Sequence, residues 1–198
     1  MTAESAEHRR PWPVPPVGGC TVDDLFALPG LPPHTELIGG SLVLVSPQRN
    51  FPADVTGLPV SGLRHSVPKK FRVKREMTIV LDRRNEPEPE VSVVFADAVR
   101  GPDRTSCRAQ DVVPAVEVVS PDSESRDRTT EPYECGTAGI PHFRRVERDG
   151  TDREPLVHVH ELGPVTQSRV HMGMHRDRIE VDEPSTVAID PGPVEARS

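Results

Sequence analysis

Glu117 stands in an otherwise apolar run, Val112-Val113-Pro114-Ala115-Val116-Glu117-Val118-Val119. A second acid, Glu90, opens the run Glu90-Val91-Ser92-Val93-Val94-Phe95, 27 residues earlier. That distance is enough for a loop and a return to a neighbouring strand. A carboxylate buried in apolar surroundings costs several kcal/mol unless a cation or hydrogen bonds compensate it. Two acids converging from adjacent strands would make a hard-oxygen site for Mg²⁺ or Mn²⁺, leaving positions for phosphate oxygens. Such an ion offsets the charge of a transferring phosphoryl group and makes water a better nucleophile. Glu36 opens another strand and could supply a third acid. The plainer alternative is that Glu117 lies near its strand's end and reaches solvent or an arginine. Buried acids mark sites only as a statistical tendency.

Other residue types offer less. His158-Val159-His160 puts two imidazoles on one strand face, and His171 and His175 follow. Zinc needs three or four convergent ligands and no cysteine is near, so these read as solvated strand histidines. Cys20, Cys107 and Cys135 are isolated, with no CxxC pair. No Gly-x-Ser-x-Gly elbow and no phosphate-cradling glycine loop is present. Asp97, Asp103 and Asp111 lie in a polar loop and read as solvated. Lys69-Lys70-Phe71-Arg72-Val73-Lys74-Arg75 is a local basic patch, or the solvated face of a strand.

The elements that must position the acids follow from pattern. Thr21-Val22-Asp23-Asp24 has capping-box form and opens a short helix through Leu28. Glu36–Ile38 and Ser41–Val45 flank Gly39-Gly40, a hairpin signal. Residues 51–67 have helical spacing but contain Gly57, Pro59 and Gly62, so a helix there is interrupted. Phe71 to Leu81 alternates and predicts one long strand. Glu90–Phe95 and Val112–Val119 are strands. Residues 123–138 predict a polar helix with Pro132 inside it. Phe143–Glu147, Leu156–Leu162, Gln167–Met172 and Val187–Ile189 are further strands. The order predicts a mixed α/β (α+β) domain, with a central sheet flanked by helices and additional C-terminal strands.

The chain has 198 residues, 23 of them proline, with 34% hydrophobic residues and a net charge of −7. Its length predicts one domain over 20–190, between disordered tails at 1–19 and 191–198. The acidic balance argues against a protein that coats nucleic acid electrostatically, though not against a nuclease with a local basic patch. The odd cysteine count and the polar first residues, Met1 to Arg10, predict a cytoplasmic protein without a membrane span.

Ordered motifs carry a resemblance. Thr35-Glu36-Leu37-Ile38-Gly39-Gly40-Ser41-Leu42-Val43, Pro87-Glu88-Pro89-Glu90-Val91, Ala115-Val116-Glu117-Val118-Val119-Ser120-Pro121, Asp127-Arg128 and Ala138-Gly139-Ile140-Pro141-His142-Phe143 occur in sequence. Together they resemble the Uma-two family of restriction-endonuclease-like proteins, which have the PD-(D/E)XK nuclease fold. The resemblance covers roughly residues 20–190 and implies a Mg²⁺- or Mn²⁺-dependent endonuclease acting on DNA, as a homodimer. It implies catalytic roles for Glu36, Glu90 and Glu117, with Glu90 and Glu117 holding metal. The family's catalytic lysine falls four residues after the aspartate matched by Asp127, and that position here is Glu131. The family also shows an aspartate at Gly39, tyrosine at Cys20, Cys107 and Cys135, an aromatic at Arg144 and an apolar helical residue at Pro59. A second reading is therefore a catalytically silent relative, retained as a binding protein or without function. A small β-rich ligand-binding domain is a third.

Overall fold

The computed structural model describes residues 14–45, 67–150, 155–166, 168–176, 179–181 and 187–189. Of the interrupted helix expected over 51–67 only Val67 is described; the rest of it, the outer part of the first tail (1–13) and the whole of the second (191–198) lie outside the described residues.

Helix α1 spans Val22–Ala27. Asp24 N–H donates to the Thr21 hydroxyl at 3.3 Å, and Thr21 N–H donates to the Asp24 carboxylate at 2.8 Å. This reciprocal box satisfies two donors that a helix start leaves free. Val22 and Leu25 then bury one face against Cys20 and Leu37. The hairpin follows as predicted, β1 (Thr35–Ile38) pairing with β2 (Ser41–Leu44). Its turn residues Gly39 and Gly40 have φ of 57° and 82°, a pair of left-handed conformations that glycine adopts without strain.

The single strand expected over 71–81 is instead two. β3 (Phe71–Arg75) and β4 (Thr78–Val80) are separated by Glu76, whose φ is 46°. The alternation survives the break because each half buries its apolar residues in a different place. Phe71 and Val73 enter one cluster, Met77 and Ile79 another. β4 leaves the main sheet and runs parallel to β6 (Ser106–Arg108), a strand the polar loop concealed.

β5 (Val91–Phe95) and β7 (Val112–Val118) are antiparallel neighbours inside the sheet. Pro114 sits in β7, where a proline would ordinarily remove a ladder bond. The register absorbs it: Ser92 pairs with Ala115 and Val94 with Val112, so two residues oppose one at the proline. The expected helix over 123–138 is a composite. A π-helical turn, Arg126–Thr130, leads into α2, Glu131–Thr137. Pro132 falls in the first turn of α2, where its missing N–H is least missed.

The chain then returns as β8 (His142–Arg148), parallel to β7. β9 (Pro155–Leu162) and β10 (Arg169–His175) add antiparallel strands. β11 (Ile179–Val181) and β12 (Val187–Ile189) form a separate pair. The main sheet runs β10-β9-β8-β7-β5-β3, mixed because of the one parallel pair at its centre. This is the α+β architecture the motif order predicts.

Both faces of β7 are covered. Val116 and Val118 join Phe71, Val73, Val91, Val93, Val146 and Val157 on one side. Val112 and Ala115 pack with Cys135, Ile140 and Phe143 on the other. Glu117 shares this second, helix-covered side with Ala115, since alternate strand residues share a face. Among the described residues no helix is long and apolar enough to cross a membrane.

Candidate functional site

The pairing Val91↔Val116 sets Glu90 opposite Glu117 across β5 and β7. Glu117 is 5% exposed. Its carboxyl shares a hydrogen bond with that of Glu90, and Val118 N–H donates to Glu90 Oε2 at 2.9 Å. Two carboxyls so close hold a proton between them in the absence of a cation. Burial raises Glu90 to about 7, despite the opposing hydrogen bonds from Val118 and Glu117. Glu117 is pushed well above the usual carboxylate range by burial, then by the charges of Glu131 and Glu90.

The helical crossover supplies two more acids. Asp127 and Glu131, four residues apart on the π-to-α segment, are both buried. One oxygen from each of Glu117, Asp127 and Glu131 lies within 4.8 Å of the others. Asp127 accepts from the Ser123 hydroxyl. Burial raises Asp127 to about 6, against the opposing pull of Ser123 and Arg126. Glu131 is raised well above its ordinary value by burial and by Glu36 and Asp127.

Glu36 comes in from the hairpin. Its Oε1 accepts Glu88 N–H at 2.8 Å, and its Oε2 is 3.4 Å from the Arg126 guanidinium. Arg126 brings a cation to the cluster. Its Nε donates to Glu131 at 3.0 Å and lies 3.6 Å from Asp127. Of the three sequence-predicted acids, Glu90 lies against Glu117, and Glu36 stands apart from that pair, 3.4 Å from Arg126. Glu36 is joined to the others through Arg126 and the helix.

Sequence reasoning assigned no role to Arg126 and did not count Asp127 or Glu131 among the clustered oxygens. The available signal was the spacing of Asp127 and Glu131, which sets two acids on one helical face. The basic segment Lys69–Arg75 lies on β3, at the sheet's edge, with Arg72 capping the carbonyls of Lys69 and Phe71.

The donor set fits a hard divalent cation. It consists of carboxylate oxygens alone, the preference of Mg²⁺ and Mn²⁺. Glu117 Oε2 is buried and accepts no hydrogen bond, while Glu36 Oε2 and Asp127 Oδ1 face the Arg126 guanidinium at 3.4 and 3.6 Å without a hydrogen bond. Such orphaned acceptors are rare in proteins and call for a partner.

Comparison with known proteins identifies the fold and the family. A crystal structure described as a "putative nuclease belonging to DUF820", from Anabaena variabilis ATCC 29413, has a similar fold. The TM-score is 0.61 at 18% identity, over 83% of this chain and 89% of that one. No curated protein matches the chain. The profile of the Uma2 family, whose description is "Putative restriction endonuclease", matches residues 22–185. With its motifs in order and its acids gathered between β5, β7 and the crossover helix, the chain belongs to the Uma2 family.

Proposed function

We propose that this protein is a divalent-metal-dependent nuclease of DNA, with cleavage weakened by the acid at position 131. The observation that carries this reading is the convergence of Glu117, Asp127 and Glu131, one oxygen of each within 4.8 Å of the others, with Glu90 hydrogen-bonded to Glu117. Glu117 and Asp127 would hold the ion directly. Glu90 would either share it or fix the Glu117 rotamer. Glu36, bound to Glu88 N–H, would anchor Arg126 at the rim. When bound, the ion would supply Lewis acidity and offset phosphate charge. The chain's own residues would bring the acids together, exclude bulk water and present one guanidinium to an incoming anion.

Arg126 cannot fully replace a lysine. Three acids, Glu36, Asp127 and Glu131, already claim it. Glu131 also adds negative charge where a phosphate must approach, which is the observation favouring the second reading of a silent DNA-binding relative. The test is plasmid cleavage with Mg²⁺ or Mn²⁺ added stepwise. Slow, metal-dependent cutting abolished in Glu117→Ala supports the nuclease. DNA binding without cutting, at any metal concentration and also in Glu131→Lys, would establish the silent relative. Rapid cutting that survives Glu117→Ala would place the chemistry elsewhere.

A further inference from the structure

Two of the four histidines of β9 and β10, His158 and His160, are not the solvated side chains that their sequence suggests, whereas His171 and His175 are exposed. His158 is 9% exposed, and His160 is half-buried. The register of β9 and β10 sets His160 opposite His171, and an irregularity between His171 and Gly173 follows at once. Such a bulge re-aims the side chains beside it. Here three imidazoles meet on one sheet face. Ring centroids are 5.4 Å apart for His158 and His171, 5.0 Å for His160 and His171, and 6.5 Å for His158 and His160.

We propose that His158, His160 and His171 form a second metal site, open on one side, that binds Zn²⁺ or a similar first-row divalent ion. Three observations support it. His158 Nδ1 and His171 Nε2 are 3.3 Å apart. Two nitrogens each at ~2.0–2.1 Å from a tetrahedral zinc are separated by about that distance. His158 Nε2 donates to Glu147 Oε1 at 2.6 Å, which leaves the Nδ1 lone pair facing the trio. A carboxylate behind a histidine is the usual outer support of a zinc ligand. Finally, His160 Nε2 is buried and has no hydrogen-bond partner. The proposed site requires the His160 ring to turn toward the other two, since the three ring nitrogens do not yet converge.

His171 is exposed, giving the ion a way in. The fourth position would be left to solvent or an incoming ligand, as in zinc sites with three protein ligands.

The site is distinct from the acidic cluster. Glu117, Arg145 and His158 lie in line across β7, β8 and β9, with Arg145 between the two groups. The donor chemistry differs as well: imidazole selects zinc-like ions, carboxylate selects Mg²⁺.

The test is a Co²⁺ titration of the full chain in excess Mg²⁺, read by visible absorption, followed by displacement with Zn²⁺. One Co²⁺ per chain with the intense bands of low-coordinate cobalt is expected. His171→Ala and His160→Ala should each weaken binding by more than the ~10–100-fold lost with an outer-shell partner. Glu117→Gln should leave it intact. Protection of the exposed His171 imidazole from acylation by Zn²⁺ in the unaltered protein provides a readout free of folding effects. Absent bands, equal binding by the histidine variants, loss in Glu117→Gln, or an unprotected His171 would each overturn the proposal.

Discussion

Glu86 is wholly buried, and neither carboxyl oxygen has a hydrogen-bond partner. Burial, then the charges of Glu88 and Glu36, raises it from 4.5 to about 7. Between those values the native state keeps a proton that the unfolded chain has released, so stability falls as pH rises. The contribution is whole below the lower value and lost once pH passes the upper one. Glu90 and Asp127 act in the same direction in the metal-free protein. The melting temperature without metal should therefore decline from pH 5 to pH 8, and Glu86→Gln should flatten that decline. Mg²⁺ should raise the melting temperature more at pH 8 than at pH 5, because it replaces protons on the clustered acids. Equal slopes for Glu86→Gln and the parent, by thermal melts at matched ionic strength, would contradict this. At position 131 the expectation is catalytic. Glu131→Lys reverses the local charge and leaves Arg126 with Glu36 and Asp127. Metal-dependent cleavage should rise by about 10²-fold, the scale of a single transition-state donor, with circular dichroism showing equal folding.

Among the elements, legibility followed how locally each was specified. The capping box at Thr21 and Asp24 and the Gly39-Gly40 hairpin were readable because neighbouring residues determine them. The break at Glu76 was not, since the apolar alternation runs through it and only the tertiary partners change. The candidate acids Glu90 and Glu117 stood out as charges beside or within apolar runs. Asp127, Glu131 and Arg126 were not counted together because their convergence depends on how the crossover helix lies over β7. Glu76 offers a direct measurement. A non-glycine residue at φ 46° carries about 1–2 kcal/mol of strain, partly offset on mutation by the freedom glycine gains when unfolded. Glu76→Gly should stabilise by about 0.5–1 kcal/mol in urea titrations. A loss of stability would mean that the Glu76 side chain contributes more than its backbone costs.

For the molecule as a whole, the weak point is Arg144. It is 1% exposed and pairs with Val116, on the valine-rich side of the sheet. Its guanidinium reaches the carbonyls of Phe143 and His160 and lies 3.9 Å from Glu161. Replacing a buried charge with a well-packed apolar group is often neutral or stabilising by ~1–4 kcal/mol. Arg144→Trp would place there the aromatic residue that the resemblance leads one to expect. It should raise the melting temperature by about 2–4 °C for each kcal/mol gained. A lower melting temperature would show that the guanidinium's hydrogen bonds outweigh its desolvation.

The parallel pairing of β7 and β8 has a kinetic consequence. Glu117, Asp127 and Glu131 all lie in the continuous segment from β7 through the helical crossover to β8. Closing this segment needs only short loops, which assemble faster than distant pairings. The hairpin carrying Glu36 joins across a much longer stretch of chain. If the three acids gather in the folding transition state, a bound cation stabilises that state as well as the native one. Mg²⁺ in the refolding buffer should then speed folding, whereas a cluster assembled late would only slow unfolding. Stopped-flow refolding with and without Mg²⁺ separates the two, making the ion a clock for the order of assembly.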